Sequence, residues 1–267
     1  MVNHRLTSVW LDRIWDSGIP AVEIFCARQH LDYHNKAQVS ELAHWFADSE
    51  LKLHSLHSPM YSDEYWGCTG PNAVLDITEQ SKPRRLDVVG EIKRALEVAE
   101  EIPCRYLVQH IGVTGQEFDE WRMEAAFTSL EDISLFAKHR GVEVLLENIP
   151  NGLSTAERLV HFVEVTHLPL NFCFDTGHAN MKEGVEAAFS LMGSRIRSTH
   201  VHDNNGTDDV HLFPFLAEGG SINWKRTIEL FRSRGDQFPL LLELKDAADF
   251  PNPLDSARQV FEKLESL

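Results

Sequence analysis

The stretch Asn171-Phe-Cys-Phe-Asp-Thr-Gly-His178 decides how this protein is read. It has the pattern of a short buried strand, Asn171 to Phe174, that ends on Asp175 and turns through Gly177 to His178. An apolar run that delivers an acid and an imidazole at its C-terminal end fills a core poorly, because a buried charge is costly unless paired or metal-bound. The same arrangement holds a metal well. An Asp at the strand end and a His three residues later can reach one cation across a tight turn, and Gly177 permits that turn.

Outward from this stretch the design repeats. Apolar strands are expected at Ala21 to Cys26, Leu51 to His57, Tyr106 to His110, Val142 to Glu147, Ile196 to His202 and Pro239 to Glu243. Helical patterns lie between them, at Thr7 to Asp16, Val39 to Phe46, Arg85 to Glu101, Phe118 to His139, up to Val165, Val185 to Met192 and Trp224 to Arg234. Gly141 closes the long helix before it. Ser154-Thr-Ala-Glu157 has capping-box spacing, and Asn252 followed by Pro253 starts the terminal helix. Two stretches stand outside the alternation. Met60 to Pro83 is long and aromatic, which favours a lid, and His202 to Ser221 is a polar loop.

Strict alternation of strand and helix implies a parallel sheet with helices outside. An open doubly wound sheet would gather ligands at one switch point, whereas polar residues end nearly every strand here. That spread fits the C-terminal face of an α/β barrel. The expectation is a single TIM (β/α)8 barrel domain over residues 1–267, with its first strand short or missing. Seven strands are legible, and only Met1 to Asn3 could supply a stub of another. A missing strand would leave an edge that a second copy of the protein could cover as a homo-oligomer.

Composition narrows the partners. With 43% hydrophobic residues, 267 residues suffice to bury a full core. The net charge of −16 disfavours nucleic acid and anionic membranes. Neither a spanning apolar run nor a leader pattern is visible, so a soluble, cytoplasmic protein is expected. Cys26, Cys68, Cys104 and Cys173 are scattered and read as buried thiols of a reducing compartment.

The strand-end set is His57, His110, Glu147, Asp175 with His178, His200 with His202, and Glu243, and the following loop adds Asp209-Val-His211. Any one of these is most simply a hydrogen-bonded or surface residue. Converging on one mouth, they make a metal site. Glu147, Asp175, His200 and Glu243 form an oxygen-rich set suited to Mn²⁺, Mg²⁺, Co²⁺ or Zn²⁺. Adding His57, His110, His178, Asp209 and His211 gives a nitrogen-rich cluster suited to several Zn²⁺ ions. His202-Asp203-Asn-Asn205 reads equally as a group orienting His200 or as a solvated turn. Trp45, Trp121 and Trp224 fit helix faces and read as core. Arg84-Arg85 reads as a phosphate contact or a solvated helix start. Ala217-Glu-Gly-Gly220 reads as a turn.

The stretches Leu56-His-Ser-Pro59, Gln109-His110, Leu146-Glu-Asn-Ile149, Phe174-Asp-Thr-Gly-His178, Thr199-His-Val-His-Asp203, Asp209-Val-His211 and Leu242-Glu243 resemble the xylose isomerase-like barrel superfamily. That group holds sugar and sugar-phosphate isomerases and epimerases as well as endonuclease IV-type abasic-site nucleases. The resemblance implies that Glu147, Asp175, His200 and Glu243 ligate a divalent metal, and that Glu147 and Glu243 exchange the substrate proton through an enediolate. It implies that His178, with His57 and His110, binds a small carbohydrate substrate. It also implies an alternative, a zinc phosphodiesterase on abasic DNA, because His57, His110, His178, Asp209 and His211 match the nuclease's zinc set. Against that alternative stand Met60, where the nuclease pattern has an aromatic residue, and an acidic sequence with no basic run beside the mouth. A non-catalytic barrel with a vestigial site is the third reading.

Overall fold

The computed structural model describes residues 3–245 and 247–267. Met1 and Val2, part of the one stretch that could supply a stub of a further strand, lie outside the described residues. Asn3 and His4 form a turn and bend. The described strands are parallel neighbours that follow sequence order from first to seventh. Two compact units divide the protein, residues 1–113, 118–145 and 168–170 in one and 114–117, 146–167 and 171–267 in the other.

Unit one begins with helix α1, Ser8–Asp16, and strand β1, Ala21–Phe25. Helix α2, Lys36–Ala47, is capped by Asn35, whose side chain accepts from the amides of Ala37 and Gln38. Strand β2, Lys52–His57, pairs in parallel with β1 and with β3, Tyr106–Gln109. The expected helix from Arg85 starts earlier and breaks near its end, into α3, Lys82–Leu96, and α4, Val98–Glu101. Proline in the first turn of α3 suits that position because its missing N–H would have no helical partner. Helix α5, Glu120–Lys138, ends near Gly141, whose φ of 71° is left-handed and favours glycine. Ile24, Leu56, Ile92, Leu107, Leu130 and Ile133 are buried and form this unit's core.

The Met60 to Pro83 excursion is folded on itself. Tyr61 and Val74 form an antiparallel bridge, and Asp63 accepts from the amides of Gly67 and Thr69. Arg84 pairs with Glu79 and donates to the Pro71 carbonyl, which leaves a local structural role for this arginine. Trp121, in the first turn of α5, is 73% exposed and is not core. Cys68 is also exposed, unlike the buried Cys26 and Cys173.

Strand β4, Glu143–Glu147, crosses from the first unit's residues into the second's. Unit two continues with α6, Ala156–Thr166, β5, Asn171–Asp175, α7, Thr176–Met181, α8, Val185–Met192, and β6, Ile196–Val201. Helix α9, Trp224–Arg232, strand β7, Leu241–Leu242, and helix α10, Pro253–Ser266, complete it. Thr155, not Ser154, caps α6, accepting from the amide of Arg158. Asn252 makes no side-chain bond to the α10 backbone; its amide engages Asp255 instead. Behind β5 the rings of Phe174, Phe189 and Phe231 meet at centroid separations of 5.4 to 6.1 Å, an edge-on and tilted cluster that anchors the strand.

Candidate metal centre

Strand register assembles the site in unit two. Asp175 at the end of β5 lies directly opposite His200 in β6, and His200 lies opposite Leu241 in β7, two residues before Glu243. Residues in register on parallel strands project the same way, so these groups share a face. Glu147, Asp175, His200 and Glu243 each offer a ligand atom within 4.8 Å of the others. The His200 Nδ1 stands 3.1 Å from Glu243 Oε2, 3.3 Å from Glu147 Oε2 and 3.9 Å from Asp175 Oδ2. Glu147, Asp175 and His200 are fully enclosed, while Glu243 keeps 31% of its side chain open. Burial alone would raise the Glu243 carboxyl; the charge and hydrogen bond of His200 overcome it and hold the group below the usual carboxylate range.

Asp175 is held from several sides. It caps α7, its Oδ1 accepting from the amide of His178 at 2.6 Å. The Asn148 side chain brackets its backbone: Nδ2 donates to the Asp175 carbonyl and Oδ1 accepts from the Asp175 amide, both at 2.9 Å. The tight turn expected at Gly177 is therefore a helix start, and Gly177 is absent from the residues with left-handed φ.

A second group, His178, His202, Asp209 and His211, also falls within 4.8 Å. His178 Nδ1 lies 3.0 Å from the Asn148 carbonyl and His211 Nδ1 lies 3.0 Å from that of Glu243. A carbonyl only accepts, so each Nδ1 donates and each Nε2 is left facing Asp209, at 3.3 and 3.2 Å. Two anionic or lone-pair atoms at that range need positive charge between them. Burial would lower both imidazoles, but the surrounding carboxylates raise His178 well above its ordinary value and His211 to about 9. His211 also has a φ of 47°, a strained backbone held on both sides, by the Lys245 amide on its carbonyl and by the Asp203–Leu212 bridge after it.

His57 and His110 belong to unit one. The His57 Nδ1 donates to the Ser58 carbonyl at 2.9 Å, its ring stacks on Phe25 at 4.0 Å, and its Nε2 meets the His110 Nε2 at 3.2 Å.

Parts of the site differ from the sequence reading. Asn148 read as a strand stop. His202, Asp203 and Asn204 are buried and do not form a solvated turn. Their side chains reach Asp175, Gly177 and the following loop. Asp203 accepts from the amides of Asn204, Ser221 and Ile222 through Oδ1, and from the Trp224 indole at 2.7 Å through Oδ2. Gly220 is required there, since a Cβ would lie 2.5 Å from Asp203 Oδ2. Only Asn205 makes the exposed turn, with Thr207 and Asp208.

The donor chemistry fits a divalent ion. Three carboxylates gathered round one imidazole concentrate negative charge that a cation neutralises, and the oxygen-rich set suits Mn²⁺, Mg²⁺, Co²⁺ or Zn²⁺.

Among the described residues no helix is long and apolar enough to cross a membrane. A curated relative, an uncharacterized protein of Methanocaldococcus jannaschii, is 32% identical over 252 residues, covering 90% of this sequence and 79% of its own. The crystal structure of a D-tagatose 3-epimerase-like protein is similar with a TM-score of 0.75 and 26% identity, over 99% of this protein and 96% of that one. The IolI protein with a bound zinc atom shares the fold, with a TM-score of 0.79 at 17% identity over 98% and 94% of the two proteins. Residues 11–267 match the xylose isomerase-like TIM barrel family, and the protein belongs to it.

Proposed function

We propose that this protein is a divalent-metal-dependent isomerase or epimerase of a small sugar, polyol or sugar phosphate. The observation that carries the reading is the placement of Glu147 and Glu243, which bracket His200 at 3.3 and 3.1 Å within the four-residue donor set. Glu147, Asp175, His200 and Glu243 would hold the ion. Bound there, a divalent ion supplies Lewis-acid polarisation of a carbonyl and a neighbouring hydroxyl. One glutamate takes the proton from the substrate carbon, giving an enediolate, and a glutamate returns it; return to the opposite face gives an epimer, and return to the adjacent carbon, with the hydroxyl proton passing from one oxygen to the other, gives an isomer. His178, beside Glu147 at 3.3 Å, would bind a substrate oxygen. Similarity to the D-tagatose 3-epimerase-like protein supports the class of substrate.

The test is a panel of ketohexoses, aldoses, polyols and their phosphates incubated with Mn²⁺-loaded protein in deuterated water. Deuterium should enter the carbon next to the carbonyl of a turned-over substrate, and Glu147→Gln or Glu243→Gln should abolish that exchange. Exchange that survives both substitutions would remove the glutamates from the reaction.

A second reading rests on the convergence of His178, Asp209 and His211, the additional nitrogen-rich group. In a zinc phosphodiesterase these residues would hold a further ion. Cleavage of an abasic duplex by zinc-loaded protein would favour it; the charge of −16 opposes it.

A further inference from the structure

We propose that His202 is a positioning residue for Asp175, and that position 177 is glycine so that the His202 ring can reach it. The inference rests on the reading of Asp175 as a metal ligand. His202 is fully buried, and its Nε2 stands 3.1 Å from Oδ1 and 3.2 Å from Oδ2 of Asp175. With the His178 amide on Oδ1, this second donor fixes the plane of the carboxylate and leaves Oδ2 turned toward His200, 3.9 Å away.

The segment that carries His202 is locked to the segment that carries Asp175, residue by residue. The Thr176 hydroxyl donates to the His202 carbonyl at 2.9 Å and accepts from the His202 amide at 3.2 Å. The Asn204 side chain donates to the Gly177 carbonyl at 2.8 Å. Asp175, Thr176 and Gly177 are thus each engaged by His202 or Asn204.

Gly177 shows what the ring requires. A Cβ there would lie 2.0 Å from Cε1, 2.4 Å from Nδ1 and 2.6 Å from Nε2 of His202, inside the ring's own contact distance. The backbone at Gly177 is helical, so close approach and not a reversal of the backbone explains the glycine.

His202 is not a ligand of the same ion as His211. Their rings stack at 3.9 Å with planes 14° apart. Imidazole lone pairs lie in the ring plane, so two near-parallel stacked rings do not aim at one point. The His202 Nδ1 lies 3.4 Å from the Asp203 carbonyl, a longer contact than the 3.1 Å from Nε2 to Asp175, so the proton sits on Nε2 and is donated to Asp175, the outer hydrogen bond that orients a ligating carboxylate.

The test is Mn²⁺ binding to metal-free full-length protein by calorimetry and by electron paramagnetic resonance, with the melting temperature of each metal-free variant. His202→Ala and Gly177→Ala should each weaken Mn²⁺ binding by about 10- to 100-fold, the usual effect of losing an outer-shell partner. His202→Gln, whose amide can still reach Asp175, should recover most of the affinity, whereas His202→Asn, one methylene shorter, should not. The Gln and Asn pair keeps the test decisive if the alanine variants fail to fold. Equal Mn²⁺ affinity in His202→Gln and His202→Asn, or wild-type affinity in His202→Ala, overturns the inference alone. Wild-type protein that binds no Mn²⁺ overturns it together with the metal reading.

Discussion

Replacing Asn148 by alanine removes both hydrogen bonds that bracket the Asp175 backbone, each 2.9 Å long and buried. The substitution leaves a backbone amide and a backbone carbonyl without the Asn148 amide group that satisfies them. Each such buried group costs about 1–3 kcal/mol, so the loss is about 2–6 kcal/mol. In a protein of this length about 1 kcal/mol moves Tm by roughly 2–4 °C, which places the expected drop at about 4–24 °C. Asn148→Asp is the sharper probe, because it keeps the shape and the acceptor but sets a carboxylate oxygen against the Asp175 carbonyl. Urea unfolding followed by tryptophan fluorescence measures both variants. Asn148→Asp should be at least as damaging as alanine. Asn148→Ala within about 0.5 kcal/mol of wild type, the range of an ordinary surface change, would refute the bracket as a source of stability.

His30 and Asp203 give two further predictions. His30 is buried, its Nδ1–H donates to the His4 carbonyl at 2.6 Å, and burial lowers its pKa from 6.5 to about 4 despite that bond. Because the folded value is depressed, its stabilising contribution is present above pH 6.5 and is lost as pH falls through 4, reaching about 3 kcal/mol. Wild type minus His30→Gln in urea unfolding from pH 7.5 to 4 should show this slope, and parallel curves would refute it. Asp203→Asn sets an amide donor against the Trp224 indole N–H now bonded at 2.7 Å. It should cost about 1–3 kcal/mol and alter tryptophan emission; unchanged emission and stability would show that Asp203 does not pin the loop.

The fold was legible in the alternation of strand and helix, and the strand ends marked Glu147, Asp175, His200 and Glu243, which the structure gathers within 4.8 Å of one another. These signals are local: an apolar run followed by a charge needs no knowledge of its neighbour. What stayed hidden depends on residues distant in sequence. Gly177 read as a turn glycine because glycine carries no record of why a side chain is absent; its reason is His202, which reaches it from β6's end. Asn148 read as a strand stop because its two bonds go to Asp175, 27 residues on. Asp203 read as turn or orienting group, whereas its partners span Ser221 to Trp224. Thr155 displaced Ser154 as the α6 cap because Asn151 already accepts from the Ser154 amide and holds that residue in the preceding loop. Trp121 misled because helical periodicity places an aromatic on a face without saying whether anything packs against it.

Binding of one divalent ion by Glu147, Asp175, His200 and Glu243 is the claim on which the proposed chemistry depends. Elemental analysis of purified wild-type protein beside Asp175→Asn and His200→Ala tests it most directly. Each variant should lose one equivalent of metal per protein molecule relative to wild type. Metal content unchanged by both substitutions, or a wild-type protein that takes up no divalent ion, would contradict it.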